Sequence, residues 1–110
     1  MEKIIKNIEI SKSSSLKSQI EYKKDSIEQL ILAKNQGVTM ILFSFDRGKK
    51  IPSHIAPGDA FVNCLEGKGK IILNGVEHIL NEGDYIVMPA KEPHSVYALE
   101  KFKMLLTIVI

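Results

Sequence analysis

The amino-acid sequence predicts an all-β domain, a sandwich or barrel of antiparallel strands. Three observations carry this expectation. From Val38 onward, short apolar runs are broken by turn residues at roughly 8–12-residue intervals, with no helical stretch between them. Asn74-Gly75 lies between two such runs, and this dipeptide is the strongest short hairpin signal because a type I′ turn needs positive φ at both central residues. With 110 residues, 45% hydrophobic and 25% charged, the chain is one domain of ordinary globular composition. It can bury a core without disulfides or a structural metal.

Residues 1–37 read as an N-terminal arm with the first strand or strands, and residues 38–110 as the barrel. "IIKNIEI" alternates apolar residues, and "SSSLKSQIEYKKD" is polar, either one helical turn or an arm crossing a neighbour. "SIEQLILAK" (26–34) leads into Asn35 and Gly37 of "NQG", which suits a strand entering a tight connection better than a short helix capped by Ser26. "VTMILFSFD" (38–46) is rich in β-branched and aromatic residues and ends at "RGKK". "AFVNCLEG" (60–67) ends at "GKG", and "KIILNGVEHIL" (70–80) holds the hairpin tip. "DYIVMP" (84–89), "HSVYAL" (94–99) and "FKMLLTIVI" (102–110) complete the set.

Several classes of function are disfavoured. A net charge of +2, with lysines scattered along the chain, does not suit nucleic acid. No apolar run approaches the roughly 18–20 residues of a membrane span. The start, "MEKIIKNIEISKSSS", has no signal-peptide core, so a cytoplasmic protein is expected. The single cysteine, Cys64, lies in an apolar run and reads as a small buried hydrophobe.

The residues that could carry chemistry fall into two clusters. The first runs Gly48, His54, Ala56, Ala60, Gly67; the second runs Gly83, Pro89, then "AKEPH" ending in His94. Their spacing, with the phrases "LEGKGKIILNG" and "EGDYIVMPAKEPH", resembles the two motifs of the cupin family, especially its small single-domain members. The resemblance covers roughly residues 38 to 108. It implies a cupin jelly-roll barrel, here with an N-terminal extension, and often a homodimer. It also implies that His54 and His94 lie inside the barrel, within a few ångströms of each other.

In that family, three histidines and a glutamate hold a divalent metal inside the barrel. Carried over, two ligand positions survive, His54 and His94. Ala56 stands where the second histidine belongs and Ala60 where the glutamate belongs. Lys91 replaces a motif glycine, and Ala98 takes a late asparagine position. Two imidazoles alone hold a divalent ion weakly, since zinc-type sites use at least three protein ligands. Asp59 is the carboxylate nearest the missing glutamate. Strand alternation aims it away from the face of residue 60, unless a bulge near Pro57-Gly58 reverses it.

The expectation is therefore a degenerate site: no cofactor, or a weakly bound Zn, Ni, Mn or Fe at His54 and His94, with Asp59 as a possible third ligand. The candidate ligand pocket comprises His54, Ala56, Ala60, Met88 and His94, holding a small polar or anionic molecule. A metal-dependent dioxygenase, isomerase or decarboxylase, or a structural homodimer without ligand, are the other readings. His78 matches no motif position and reads as a half-exposed strand histidine. Met40, Met88, Met104, Phe43, Phe45 and Phe102 read as core, some of them able to line the cavity wall. The last strand puts Leu106, Ile108 and Ile110 on one face and Leu105 and Val109 on the other. Both faces are apolar, so a homodimer is expected, with Leu105, Val109 and part of the N-terminal segment at or beside the interface.

Overall fold

The structure, a computed structural model, describes residues 4–110; the first three residues of the expected arm lie outside the described part. Seven strands follow a single 3-10 turn at Lys17–Gln19: β1 (Ile27–Lys34), β2 (Val38–Phe45), β3 (Lys50–His54), β4 (Asp59–Leu73), β5 (Val76–Asn81), β6 (Tyr85–Met88) and β7 (His94–Val109). All pairings are antiparallel. The fold is an all-β jelly roll, and no helix among the described residues is long and apolar enough to cross a membrane.

Two long strands organise it. The first half of β4 pairs with β6 and with the second half of β7, which in turn joins β2 and β1. The second half of β4 pairs with β5 and with the first half of β7, which joins β3. β4 and β7 thus pass from one layer to the other, and the layers enclose one core. Phe43, Phe45, Val62, Met88, Phe102 and Met104 are buried there with Ile71, Leu80 and Val96. Phe45 and Phe102 are fully buried with rings 5.5 Å apart, each contributing about 1.5–3 kcal/mol by burial. Cys64 belongs to this core, and burial pushes its thiol up to about 11.

Here the strand boundaries differ from the sequence reading. "GKG" reads as a turn between two strands, yet β4 runs through it. The register shifts at Cys64/Glu66 and at Gly67/Gly69, which is where β4 bends between layers. Both glycines are required by close approach to β7. A Cβ on Gly67 would lie 1.7 Å from the Lys101 carbonyl oxygen, and one on Gly69 would lie 2.6 Å from the Phe102 ring. Likewise 94–99 and 102–110 form one strand, β7. The turn at Asn74-Gly75 has φ of 51° and 79°, the paired positive values a type I′ turn needs.

The outer face of the first layer is covered by the chain's own arm. Ile20, Leu32 and Leu42 are buried there, with Ile8, Leu16, Leu30, Met40, Leu65 and Leu105 packed around them. Met40 therefore belongs to this outer cluster and not to the barrel interior. Leu105, expected beside a subunit boundary, is partly buried against this cluster. Lys6 N donates to Leu32 O (2.8 Å), and Ser44 Oγ donates to Glu21 O (2.8 Å).

Lys103 pins the arm. Its side chain is 10% exposed, and an unpaired cation so placed would cost several kcal/mol. Nζ donates to Lys17 O (2.7 Å), sits 4.9 Å over the Tyr22 ring and lies 3.9 Å from Glu66 Oε2. Tyr22 Oη donates to the same carboxylate oxygen at 2.6 Å, and burial together with that carboxylate raises the Tyr22 pKa.

Candidate functional site

The site begins with a strand that sequence reading missed. Pro52 in "KIPSH" argues against a strand, but β3 is an edge that pairs only with β7, and an edge tolerates proline. β3 ends on His54, and its register sets His54 opposite His94, the first residue of β7. The two rings meet with centroids 4.2 Å apart and planes 59° apart. His94 is 4% exposed, whereas His54 is exposed at the rim. The expectation that the two meet is met by this geometry; the expectation that both lie inside the barrel holds for His94 alone. The reason is that β3 has no neighbour on its far side to cover His54.

Backbone carbonyls fix both tautomers. His54 Nδ1 donates to Pro52 O at 3.0 Å, and His94 Nδ1 donates to Glu92 O at 3.3 Å. A carbonyl oxygen only accepts, so the hydrogen of each neutral ring resides on Nδ1 and Nε2 is left as an acceptor. Among the described residues neither Nε2 has a protein partner, and no buried side-chain nitrogen is left unpaired. His94 Nε2 is therefore reached by solvent. Burial, and next the neighbouring His54, lower the His94 pKa, against the opposing pull of the Glu92 carbonyl.

The remaining candidates divide. Ala60 and Met88 face each other across β4 and β6, both 1% exposed and both part of the packed core. Ala56 is buried in the loop after β3, where its carbonyl accepts from Lys91 N at 3.1 Å. Asp59 is exposed and Ala60 buried, so alternation runs on without reversal. Asp59 Oδ1 instead accepts from Ala90 N at 3.0 Å, clasping the loop that leads to His94. It is engaged in holding that loop and does not reach toward the imidazoles' face. His78, at intermediate exposure, pairs with Ile71 away from this pair.

Lys91 sits in the same loop at φ +69°, in the left-handed region that a non-glycine residue occupies at a cost of about 1–2 kcal/mol. Lys91→Gly is expected to raise stability by up to about 1 kcal/mol, the unfolded chain's added freedom offsetting part of the relief. Thermal unfolding checks this, and an unchanged or lower melting temperature would contradict it.

The donor set does not fit a tightly held divalent ion. It offers two imidazole nitrogens, and among the described residues no group of three His, Cys, Asp or Glu side chains could share an ion. The two residues that sequence reading did not single out are Pro52 and Glu92, which act through backbone carbonyls. Main-chain oxygens carry no sequence signal.

Comparison with known proteins places this geometry. The cupin domain family matches residues 41–110. A conserved protein of unknown function from Streptococcus pyogenes is 37% identical and superposes with a TM-score of 0.95, covering 98% of this chain and 95% of that one. A cupin superfamily protein from Desulfitobacterium hafniense is 27% identical with a TM-score of 0.92, covering 96% and 97%. A cupin 2 conserved barrel domain protein from Leptotrichia buccalis is 38% identical with a TM-score of 0.84, covering 86% of this chain but 46% of that one. No curated protein matches the chain. On the family match and on these relatives, the chain belongs to the cupin family as a small single-domain member.

Proposed function

We propose that this barrel is a binding module that takes a small, uncharged, hydrogen-bond-donating molecule at its mouth, against His54 and His94, without catalysis of its own. The observation that carries the reading is the pair of imidazoles held by Nδ1 with Nε2 free, 4.2 Å apart at the rim of an apolar core. Two adjacent acceptors match hydroxyl or amide N–H groups. Of the polar and anionic ligands expected from sequence, they favour the first: a carboxylate would bring lone pairs against lone pairs unless a ring took up a proton. The lowered His94 pKa opposes that protonation at neutral pH. A metal-dependent reaction would need donors that Ala56 and Ala60 do not supply.

The pH dependence follows in sign. A histidine with a depressed folded pKa is stabilised as the neutral form. Its contribution is complete above the ordinary value of 6.5 and is lost as pH falls from there toward the lower folded value. Binding to the acceptor pair should weaken over the same range.

Imidazole nitrogen NMR spectra, recorded with D-glucose, glycerol and N-acetylglucosamine as neutral donors and with succinate and citrate as anions, test this. At pH 7.5 at least one neutral probe should shift His54 and His94 at millimolar concentration, and the anions should not. His54→Ala, a change at an exposed position, should abolish the shift, and acidification to pH 5.5 should weaken it. Response to the anions alone, or to none of the probes, would sink the proposal.

A further inference from the structure

His54 and His94 each hand the Nδ1 hydrogen to the carbonyl two residues earlier, but the two carbonyls are held very differently. Pro52 lies within β3, which pairs with β7 at Ile51 and again at His54. Glu92 lies in the loop before β7, outside any strand. Its bond to His94 is also the longer, 3.3 Å against 3.0 Å, at the weak end of the N–H···O range. A free neutral histidine in water prefers its hydrogen on Nε2. His94 keeps Nδ1–H only if the Glu92 carbonyl is held toward it.

The β4–β5 hairpin tip supplies that hold. Asn74 N donates to Pro93 O at 3.0 Å, and Asn74 Nδ2 donates to Glu92 Oε1 at 2.7 Å, a short bond to a carboxylate. One residue thus grips both flanks of the Glu92–Pro93 peptide, whose oxygen receives the His94 hydrogen. Pro93 stiffens the same peptide by restricting Glu92 to extended backbone. The turn itself has no need of the amide, since Asn74 has φ of 51°, which glycine adopts more freely. We propose that Asn74 is a positioning residue for the barrel mouth: through Glu92 it fixes the His94 hydrogen on Nδ1 and keeps Nε2 an acceptor. Without that grip the hydrogen moves to Nε2, and the pair presents one donor and one acceptor, which selects a different ligand. This consequence for ligand choice rests on the binding reading above; the tautomer does not.

Two-bond 1H–15N spectra of the imidazoles, recorded on the full chain at pH 8 without any added probe, read the tautomers directly. In the wild type the hydrogen of His94 should sit on Nδ1. Asn74→Gly keeps the backbone donor to Pro93 and suits the positive φ, so it removes the amide alone. It should raise the Nε2–H population of His94 by about fivefold, the effect of one hydrogen bond of ordinary strength, and leave His54 unchanged. Glu92→Ala should do the same, and serves should Asn74→Gly fail to fold. Glu92→Gln, which keeps an acceptor oxygen, should retain the wild-type spectrum. A merely structural role would lower the melting temperature with no change of tautomer. Four results would overturn the proposal: Nε2–H at His94 in the wild type, an unchanged tautomer in Asn74→Gly or Glu92→Ala, an equal change at His54, or Glu92→Gln behaving as Glu92→Ala. Since no probe is present, silence of the neutral ligands would sink the binding reading and leave this result standing.

Discussion

Gly67→Ala is expected to be the most damaging single-methyl change in the protein, lowering stability by about 4 kcal/mol or more. The new Cβ would fall 1.7 Å from the Lys101 carbonyl oxygen and 2.8 Å from its carbon, and both belong to backbone that no rotamer change can move. The residue also sits at φ +80°. Relief would require β4 to part from β7 at the Gly67–Phe102 pair, where the two long strands bend together between layers. With about 4–8 °C of melting temperature lost per kcal/mol in a domain of this size, the midpoint should fall by about 15 °C or more. Gly75→Ala is the control, since φ there is +79° but a Cβ would meet nothing within 4 Å. Comparable circular dichroism melts for the two variants would show that close approach is not what Gly67 serves.

Restoring the missing donors, as Ala56→His with Ala60→Glu, is expected to raise affinity for zinc or nickel by orders of magnitude. The change takes the donor set from two imidazoles to three imidazoles and a carboxylate, past the three ligands at which divalent ions are held firmly. It also makes a second, opposite prediction. Ala60 is 1% exposed within the packed core, so a carboxylate there without an ion should destabilise the fold by about 3 kcal/mol or more. Added zinc should then recover that loss, because the ion binds the folded state alone. Titration calorimetry together with melting in the presence and absence of zinc chloride reads both effects. Tight binding by the unmodified chain, or no gain in the double variant, would refute the account of the site as two bare imidazoles.

Much of this molecule is legible in its sequence, for reasons that differ from place to place. Asn74-Gly75 fixed its hairpin because few dipeptides accept positive φ twice in succession. Alternation along β7 announced two apolar faces, and the structure shows both: Met104, Leu106 and Ile108 toward the core, Leu105 beneath the arm, Val109 in the open. The meeting of His54 and His94 followed from motif spacing, since one sequence carries no direct signal of distance between residues so far apart. What failed was punctuation. Glycine at 67 and 69 reads as a chain reversal, but its use here is to let two strands bend past one another, and that depends on a partner more than thirty residues away. Pro52 reads as the end of a strand, but on an edge the missing N–H faces no neighbour. The exposure of His54 was equally hidden, because it depends on how many strands flank β3.

β7 is the partner of β2, β3 and β4, and it comes last in chain order. As the polypeptide leaves the ribosome, the β1–β2 and β4–β5 hairpins and the β4–β6 pairing can form before β7 is made. Each keeps an unsatisfied edge reserved for a strand not yet made. At about 5–20 residues per second this interval lasts seconds, long compared with hairpin formation in microseconds. Closure then awaits contacts distant in sequence, down to Lys103 reaching the Lys17 carbonyl, which makes maturation slow for so small a protein. The nascent chain is thus most vulnerable to clumping and to proteases until β7 has emerged, and that is when chaperone protection matters most.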